Sequence, residues 1–170
     1  MIEASAKPSK LLQELLSSEG IHEINEWIAK YPPQQKQSAL LSALRIAQEE
    51  KGYLTPEVMD AVADYLEIPA TVAYEVATFY SMYDTKPVGR NRINVCMSIS
   101  CKLCDSSKLL SHMKKKLGIE LGETTTDGRY TLRAVECLAA CVNAPMMQVN
   151  KDYHENLTPE KIDAILEQYK

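Results

Sequence analysis

The chain has 170 residues, of which 45% are hydrophobic, and a formal net charge of −4 at pH 7. This length suffices for one ordinary domain or two small ones with a packed core, and the composition is that of a globular protein. No stretch approaches the roughly 18 uncharged apolar residues that a membrane helix needs. Residues 1–90 hold 8 Lys and Arg against 13 Asp and Glu, and residues 91–170 hold 11 against 10, so neither half has the basic surface typical of nucleic-acid binding. Residues 1–10 contain no apolar leader, and we expect a cytosolic chain.

The chain up to about Tyr83 is predicted to be helical. One helix is predicted from about Gln34 to Lys51, with Gly52 ending it. Another begins at Thr55-Pro56-Glu57, because threonine is a favoured N-cap and proline is tolerated at the first helical position. A further helix follows Ile68-Pro69 and carries the apolar residues Val72, Val76, Phe79 and Tyr80. Together with shorter pieces near the start, these elements predict a bundle of four or five short helices.

The second half changes character after residues 84–91, which are rich in turn-forming residues. We therefore predict an N-terminal helical domain over residues 1–85 and a second domain over residues 90–170. The elements predicted for the second domain are a strand at 92–97, a helix at 105–117, strands at 130–135 and 146–149, a hairpin turn at 150–153 and a final helix capped by Thr158-Pro159-Glu160. Strands and helices alternate, so the fold class is α/β (α+β), a helical bundle followed by a small α/β domain.

Four of the five cysteines form two pairs, Cys96-x4-Cys101 and Cys137-x3-Cys141, with 35 residues between the pairs. Each pair lies at the end of a predicted strand, the edge at which open α/β sheets bind ligands. Four thiolates hold a [2Fe-2S] cluster, and in a reducing compartment thiols serve metal or redox chemistry more often than structural disulfides. The spacing therefore indicates an iron–sulfur site, which would make the protein an electron carrier.

Other interpretations of the cysteines stay open. Cys104 extends the first pair to a spacing similar to that of plant-type ferredoxins, and Cys101-x2-Cys104 at a helix start could be a thioredoxin-like dithiol. The favoured prediction for Cys104 is a buried small hydrophobic residue on the following helix. Four thiolates could also hold a structural zinc ion. The histidines, expected at the surface, lie far apart in the sequence and form no ligand pair: His22, His112 and His154.

Three segments resemble one known family. They are Glu75 to Tyr83 (EVATFYSMY), the Cys96-x4-Cys101 pair, and Val135 to Pro145 (VECLAACVNAP). With these motifs the sequence resembles the thioredoxin-like [2Fe-2S] ferredoxin family, in the form found as a subunit of NADH:quinone oxidoreductase (respiratory complex I). The resemblance extends over nearly the whole chain.

The resemblance implies a thioredoxin-like fold for the second domain and one [2Fe-2S] cluster bound by Cys96, Cys101, Cys137 and Cys141. It also implies a partner flavoprotein subunit that binds FMN and NADH, and a position on the cytoplasmic side of the inner membrane through the complex. The chain itself has no G-x-G-x-x-G or P-loop motif and no complete active site, so we expect neither NADH nor flavin to bind it. Similar ferredoxin subunits serve NAD-linked hydrogenases and formate dehydrogenases, which remain the alternative.

The cysteine loops also predict how the site is surrounded. Backbone N–H donors to the sulfurs are expected from residues 98–100 and 138–140. Ala144-Pro145 and Met146-Met147 are expected to cover the site, with core packing as the favoured role of the methionines. Many family members have glycine where Ala139 stands, and glycine would allow a positive φ there.

Overall fold

The computed structural model describes residues 11–169, which form two compact units divided between Pro87 and Val88. The absence of an apolar leader is predicted for residues 1–10, which lie outside the described residues. The division into separate domains at 1–85 and 90–170 stays a prediction.

The first unit is built from helices. In chain order they are α1 (Leu12–Leu15), α2 (Ser18–Ile28), a 3₁₀ helix (Pro33–Ala39), α3 (Leu40–Lys51), α4 (Pro56–Tyr65) and α5 (Ala70–Phe79). Their buried faces meet in one hydrophobic core, whose largest side chains include Ile24, Leu44, Leu54, Val62 and Leu66. Because each helix is short, its stability depends on this shared core more than on intrinsic helix propensity.

Local sequence signals set two of the helix ends. Thr55 caps α4 by accepting a hydrogen bond from the Val58 N–H at 3.2 Å, and Pro56 occupies the first helical position. Gly52 ends α3 with a φ of +83°, which a residue without a Cβ adopts at little steric cost. The predicted start of α4 and the predicted end of α3 are both confirmed.

The helix predicted from Gln34 to Lys51 begins later than expected. Residues 33–39 form the 3₁₀ helix, within which Gln35 has non-helical angles, φ −117° and ψ 30°. Residues 34–38 are all polar, so an α-helix there would have no apolar face to bury. The α-helix instead starts at Leu40, where the buried positions begin.

Helix α5 turns small residues toward the core. Its buried positions are Ala73 and Ala77. Small side chains allow a helix to pack closely against its neighbour, and α5 contacts α4. The larger apolar residues predicted on this helix and at its end are consequently only half-buried or exposed: Val72, Val76, Phe79 and Tyr80.

The second unit is a four-stranded sheet with helices. In chain order its elements are β1 (Asn91–Cys96), α6 (Ile99–Leu103), α7 (Ser106–Leu117), β2 (Tyr130–Val135), a 3₁₀ helix (Cys141–Asn143), β3 (Met147–Val149), β4 (Asp152–His154) and α8 (Pro159–Gln168). The strand order is β2-β1-β3-β4, with β1 and β2 parallel and β3 antiparallel to both β1 and β4. The predicted mixed α/β class is confirmed.

The core of the second unit joins the sheet to α7 and α8. Alternate residues of β1 and β3 are buried together with residues of the two helices, as the strand and helix periodicities require. The buried set includes Ile93, Val95, Leu132, Met147, Val149, Met113 and Ile162. Thr158 caps α8 by accepting a hydrogen bond from the Lys161 N–H, which confirms the predicted start of that helix.

Two short elements of the second unit are absent from the sequence-based prediction. Helix α6 has only five residues, too few for a periodic pattern to be recognised. Strand β4 occupies part of the segment 150–153 that was assigned to a turn. The turn itself has two residues, Asn150 and Lys151, and the φ of +56° at Asn150 lies in the left-handed region that asparagine tolerates.

Among residues 11–169, no helix combines the length and the apolar character that spanning a membrane would require.

Candidate iron–sulfur centre

Adjacent parallel strands carry both cysteine-bearing loops. Strand β1 ends at Cys96 and pairs with β2 so that Cys96 lies opposite Val135. The chain continues from β1 into α6, which holds Cys101, and from β2 through Cys137 to the 3₁₀ helix that begins at Cys141. Because the carboxyl ends of parallel strands lie at the same edge of a sheet, both loops leave from one edge.

The first pair of thiols is buried and in mutual contact. Cys96 and Cys101 are 2% and 1% exposed, and their side chains are hydrogen-bonded to each other. Burial is the main cause that raises the pKa of the Cys101 thiol to about 11. The hydrogen bond to Cys96 and the charges of Cys96 and Cys141 act in the same direction. This interaction also places Cys141 within electrostatic range of Cys101.

Hydrogen-bond donors favour the thiolate form of Cys96. Burial acts to raise the pKa of this thiol, but the Ser98 hydroxyl and the backbone N–H groups of Ser98 and Leu138 donate to it, and its pKa is lowered overall. Its Sγ lies 3.5 Å from Ser98 Oγ and 3.3 Å from the carbonyl oxygen of Glu136. Donors were predicted in residues 98–100 and 138–140, and these contacts confirm that prediction.

One donor was missed by sequence reasoning. The backbone N–H of Met146 donates to the Cys101 sulfur and lowers its pKa, against the effect of burial. Met146 directly precedes β3, which pairs with β1, so its N–H is brought to the end of β1. The signal available in the sequence was this adjacency to a predicted strand.

The second pair of thiols is exposed. Cys137 and Cys141 both lie at the surface, and the Ala139 N–H donates to Cys137 Sγ at 3.4 Å. The structure therefore brings Cys96 and Cys101 into contact, with Cys141 close to Cys101, but it does not gather all four sulfurs around one point. The four-cysteine ligand set stays a prediction.

A single zinc ion fits this arrangement poorly. Four thiolates at about 2.3 Å from one ion would lie roughly 3.8 Å from one another. Among residues 11–169, no three Cys, His, Asp or Glu side chains are grouped in a way that could hold one metal ion. A two-iron cluster divides its ligands between two metals, so two pairs of thiols on facing loops suit it better.

Apolar side chains cover the buried side of the thiols. Met146 packs with Cys96 and Cys101 in a small cluster of its own, bordered by Leu138, Ala140 and Ala144. Met146 and Met147 are 1% and 0% exposed, so the predicted core packing of both methionines is confirmed. Water is excluded from this side of the site, which strengthens the hydrogen bonds to the sulfurs.

The fifth cysteine does not behave as predicted. Cys104 was expected to be buried on the following helix, but it is exposed at the end of α6, because α6 ends there and α7 begins only at Ser106. A thioredoxin-like dithiol would need a partner thiol with a lowered pKa, whereas the pKa of Cys101 is raised and its contact is Cys96. The dithiol interpretation is therefore not supported.

The histidines have partners away from the cysteines. His22 is exposed and lies 3.7 Å from Glu26. His112 lies 2.9 Å from Asp163, and the ring of His154 contacts the hydroxyl group of Tyr169. The predicted absence of a histidine ligand pair agrees with these contacts.

Ala139 has the backbone conformation that its sequence position suggested. Its φ is +61°, in the left-handed region, where a Cβ costs about 1–2 kcal/mol. We expect Ala139→Gly to raise the free energy of unfolding by about 0.5–1 kcal/mol, because the relief of this strain exceeds the added entropy of the unfolded chain. Denaturant unfolding of the two proteins measures the difference.

Ala140→Gly is the matched control. Ala140 has a φ of −110°, so glycine brings no relief there and should lower the free energy of unfolding by about 0.5–1 kcal/mol. Equal effects of the two substitutions would contradict the conformation of residue 139.

Comparison with known proteins identifies the class to which this fold and these thiols belong. The model of the family "Thioredoxin-like [2Fe-2S] ferredoxin" matches residues 24–170, so the chain belongs to this family. Among curated relatives, the chain is 47% identical over 148 residues to an E-type subunit (number 2) of the NADH-quinone oxidoreductase of Rhizobium meliloti (strain 1021), with 87% of each chain covered. It is 49% identical over 141 residues to the E-type subunit of the NADH-quinone oxidoreductase of Rickettsia bellii (strain RML369-C), with 82% of this chain and 84% of the relative covered.

A solved structure shares the fold. A chain of an NAD⁺-reducing [NiFe]-hydrogenase in the air-oxidized state aligns with a TM-score of 0.67 and 22% identity, covering 76% of this chain. The present chain spans only 22% of the length of that hydrogenase chain. At this level of identity the similarity concerns the fold alone.

The residues at this edge of the sheet fit the cofactor of the family. All five cysteines are free thiols, and four of them lie on the two loops that leave from adjacent strands. Backbone N–H groups are directed at the sulfurs of Cys96, Cys101 and Cys137. Thiolate ligands with such donors are the chemistry that holds a [2Fe-2S] cluster.

Proposed function

We propose that this chain is the electron-transfer subunit of an NADH:quinone oxidoreductase, that it holds one [2Fe-2S] cluster, and that it receives electrons from the flavin of a partner flavoprotein subunit. The observation that carries this proposal is the contact of Cys96 with Cys101 at the edge from which the Cys137–Cys141 loop also leaves. The identity of the chain to two NADH-quinone oxidoreductase subunits, at 47% and 49%, supports the choice of complex.

Four residues are proposed as ligands: Cys96, Cys101, Cys137 and Cys141. A bound [2Fe-2S] cluster supplies a centre that takes up and releases one electron at a time. Since each iron takes two of the ligands, we assign the touching pair Cys96 and Cys101 to one iron and the exposed pair to the other.

The surrounding residues tune the site. The N–H groups of Ser98, Leu138 and Met146 donate to thiolate sulfurs and so favour additional negative charge, which raises the reduction potential. Met146 and its apolar neighbours keep water from the inner side, which favours a lower potential. The exposed second pair leaves the outer side accessible to an electron donor.

The partner and the location belong to the same proposal. FMN and NADH are bound by the flavoprotein subunit, and the complex holds this chain on the cytoplasmic side of the inner membrane. The alternative assembly, an NAD-linked hydrogenase or formate dehydrogenase, has less support, because the likeness to the hydrogenase chain at 22% identity concerns the fold only.

The test is chemical analysis of the full chain purified without oxygen. We expect about two iron atoms and two acid-labile sulfides per chain, and an S = 1/2 EPR signal after reduction with dithionite. Protein that holds zinc or no metal under these conditions would overturn the electron-carrier function. Isolation of the tagged chain with its native partners, followed by assays with quinone, hydrogen and formate, distinguishes the three possible complexes.

A further inference from the structure

The end of helix α5 exposes a group of large apolar side chains. Phe79 is the single phenylalanine of the chain, and it is 80% exposed. Met82 is 53% exposed and Tyr80 41%, so three large apolar residues lie at the surface within four consecutive positions. We call these three residues the α5 patch. Clustered exposed aromatic residues are typical of protein interaction sites.

A groove runs beside the α5 patch. It has a volume of about 580 Å³ and is lined by Glu75, Val76, Thr78, Phe79 and Tyr80. The rings of Phe79 and Tyr80 meet edge to face with centroids 5.1 Å apart, which fixes one wall of the groove. An inserted apolar side chain would contact this wall and Val76.

The backbone that follows Phe79 is anchored, so the patch cannot fold inward. Gln48 Nε2 donates to the Met82 carbonyl oxygen at 3.0 Å, and Gln48 Oε1 accepts from the Asp84 N–H at 2.6 Å. The buried Tyr83 donates its hydroxyl hydrogen to the Leu41 carbonyl oxygen at 2.7 Å. A surface held in this way loses little entropy when a partner binds.

The charge beside the groove selects the partner. Glu75 lines the groove, and its carboxylate has no hydrogen-bond or ion-pair partner among residues 11–169. Residues 1–90 also carry 13 acidic against 8 basic residues. A second copy of the chain would bring like charge to this surface, whereas a partner with Lys or Arg beside an apolar side chain would complement it.

We propose that the α5 patch docks the flavoprotein subunit, which places an apolar side chain in the groove and a Lys or Arg beside Glu75. This inference rests on the proposed function, since it takes the flavoprotein subunit as the partner. The surface belongs to the first unit, whereas the proposed cluster ligands belong to the second.

The experiment titrates the full-length, cluster-containing chain with the purified flavoprotein subunit and measures the dissociation constant. We expect Phe79→Ser and Glu75→Lys each to weaken binding by about tenfold or more, because a central aromatic anchor and a desolvated charge pair carry much of the affinity of an interface. The matched controls are Leu121→Ser, at an apolar side chain 42% exposed in the second unit, and Glu14→Lys, at an exposed acidic residue of α1. Both should bind as the wild type does, and all four variants should keep the EPR signal.

The possible failures are distinguishable. If the wild-type chain does not bind the flavoprotein subunit, the proposed partner is wrong and this inference fails with it. If the wild type binds but Phe79→Ser and Glu75→Lys bind equally well, the inference alone is overturned. A dimer of the isolated chain that Phe79→Ser dissociates in sedimentation experiments would identify a second copy as the occupant and would also overturn it.

Discussion

Replacement of Cys101 or Cys137 by serine is expected to abolish the iron–sulfur cluster. A thiolate ligand contributes more than any group around it, and loss of a mere hydrogen-bond partner to a ligand already weakens metal binding by about 10–100-fold. Serine keeps the size of the side chain but lacks the thiolate, so iron and sulfide in the purified chain should both fall to background. Metal and sulfide analysis with EPR measures this loss.

Two further variants grade the effect. Cys104→Ser should keep the full cluster, because Cys104 is exposed at the end of α6 and is not among the proposed ligands. Ser98→Ala removes the hydroxyl group that donates to Cys96, so it should weaken the cluster without abolishing it. A Cys104→Ser variant without iron, or a Cys137→Ser variant with two irons, would require another ligand set.

Sequence signals predicted much of the fold, because local rules decided its principal elements. The cap at Thr55 and the cap at Thr158 each combine threonine with a following proline, and both helices begin where this pattern places them. Strand β2 has the bounds that its alternating pattern predicted, 130–135. Long helices and strands that bury one face leave a periodic trace in the sequence.

The failures have a different physical origin. Helix α6 and strand β4 are too short to leave a periodic trace, and tertiary pairing rather than sequence pattern defines β4, which pairs with β3. The exposure of Cys104 depends on where α6 ends, which sequence could not specify. At the candidate site, the spacing predicted the cysteines and the donor loops, whereas the Met146 donor depends on the pairing of β3 with β1.

Gly89→Ala is expected to be the most destabilising single-methyl substitution considered for the second unit. A Cβ at residue 89 would lie 2.8 Å from the carbonyl carbon of Tyr130 and 3.0 Å from its nitrogen. Both atoms belong to the backbone of β2, so no flexible side chain can move aside. The Gly89 N–H also donates to Thr131 Oγ1 at 2.6 Å, which holds the two segments together.

The surrounding contacts prevent β2 from yielding to the added methyl group. Tyr130 is buried, and its hydroxyl group donates to carbonyl oxygens of α8 and of Tyr169, so a shift of its backbone would disturb the end of α8. Overpacking of this kind costs about 1–3 kcal/mol, and roughly 2 kcal/mol would lower the melting temperature of a chain of this length by about 4–8 °C. Calorimetry on the full chain measures the change.

Gly118→Asn is the control for the Gly89 variant. Gly118 has a φ of +67° but nothing within 4 Å of its Cβ position, and asparagine tolerates that conformation, so we expect a loss below about 1 kcal/mol. If the units unfold as separate domains, Gly89→Ala should lower only the transition of residues 88–170. A Gly89→Ala chain that melts with the wild type would contradict the close approach to β2, and a joint shift of both transitions would contradict independent domains.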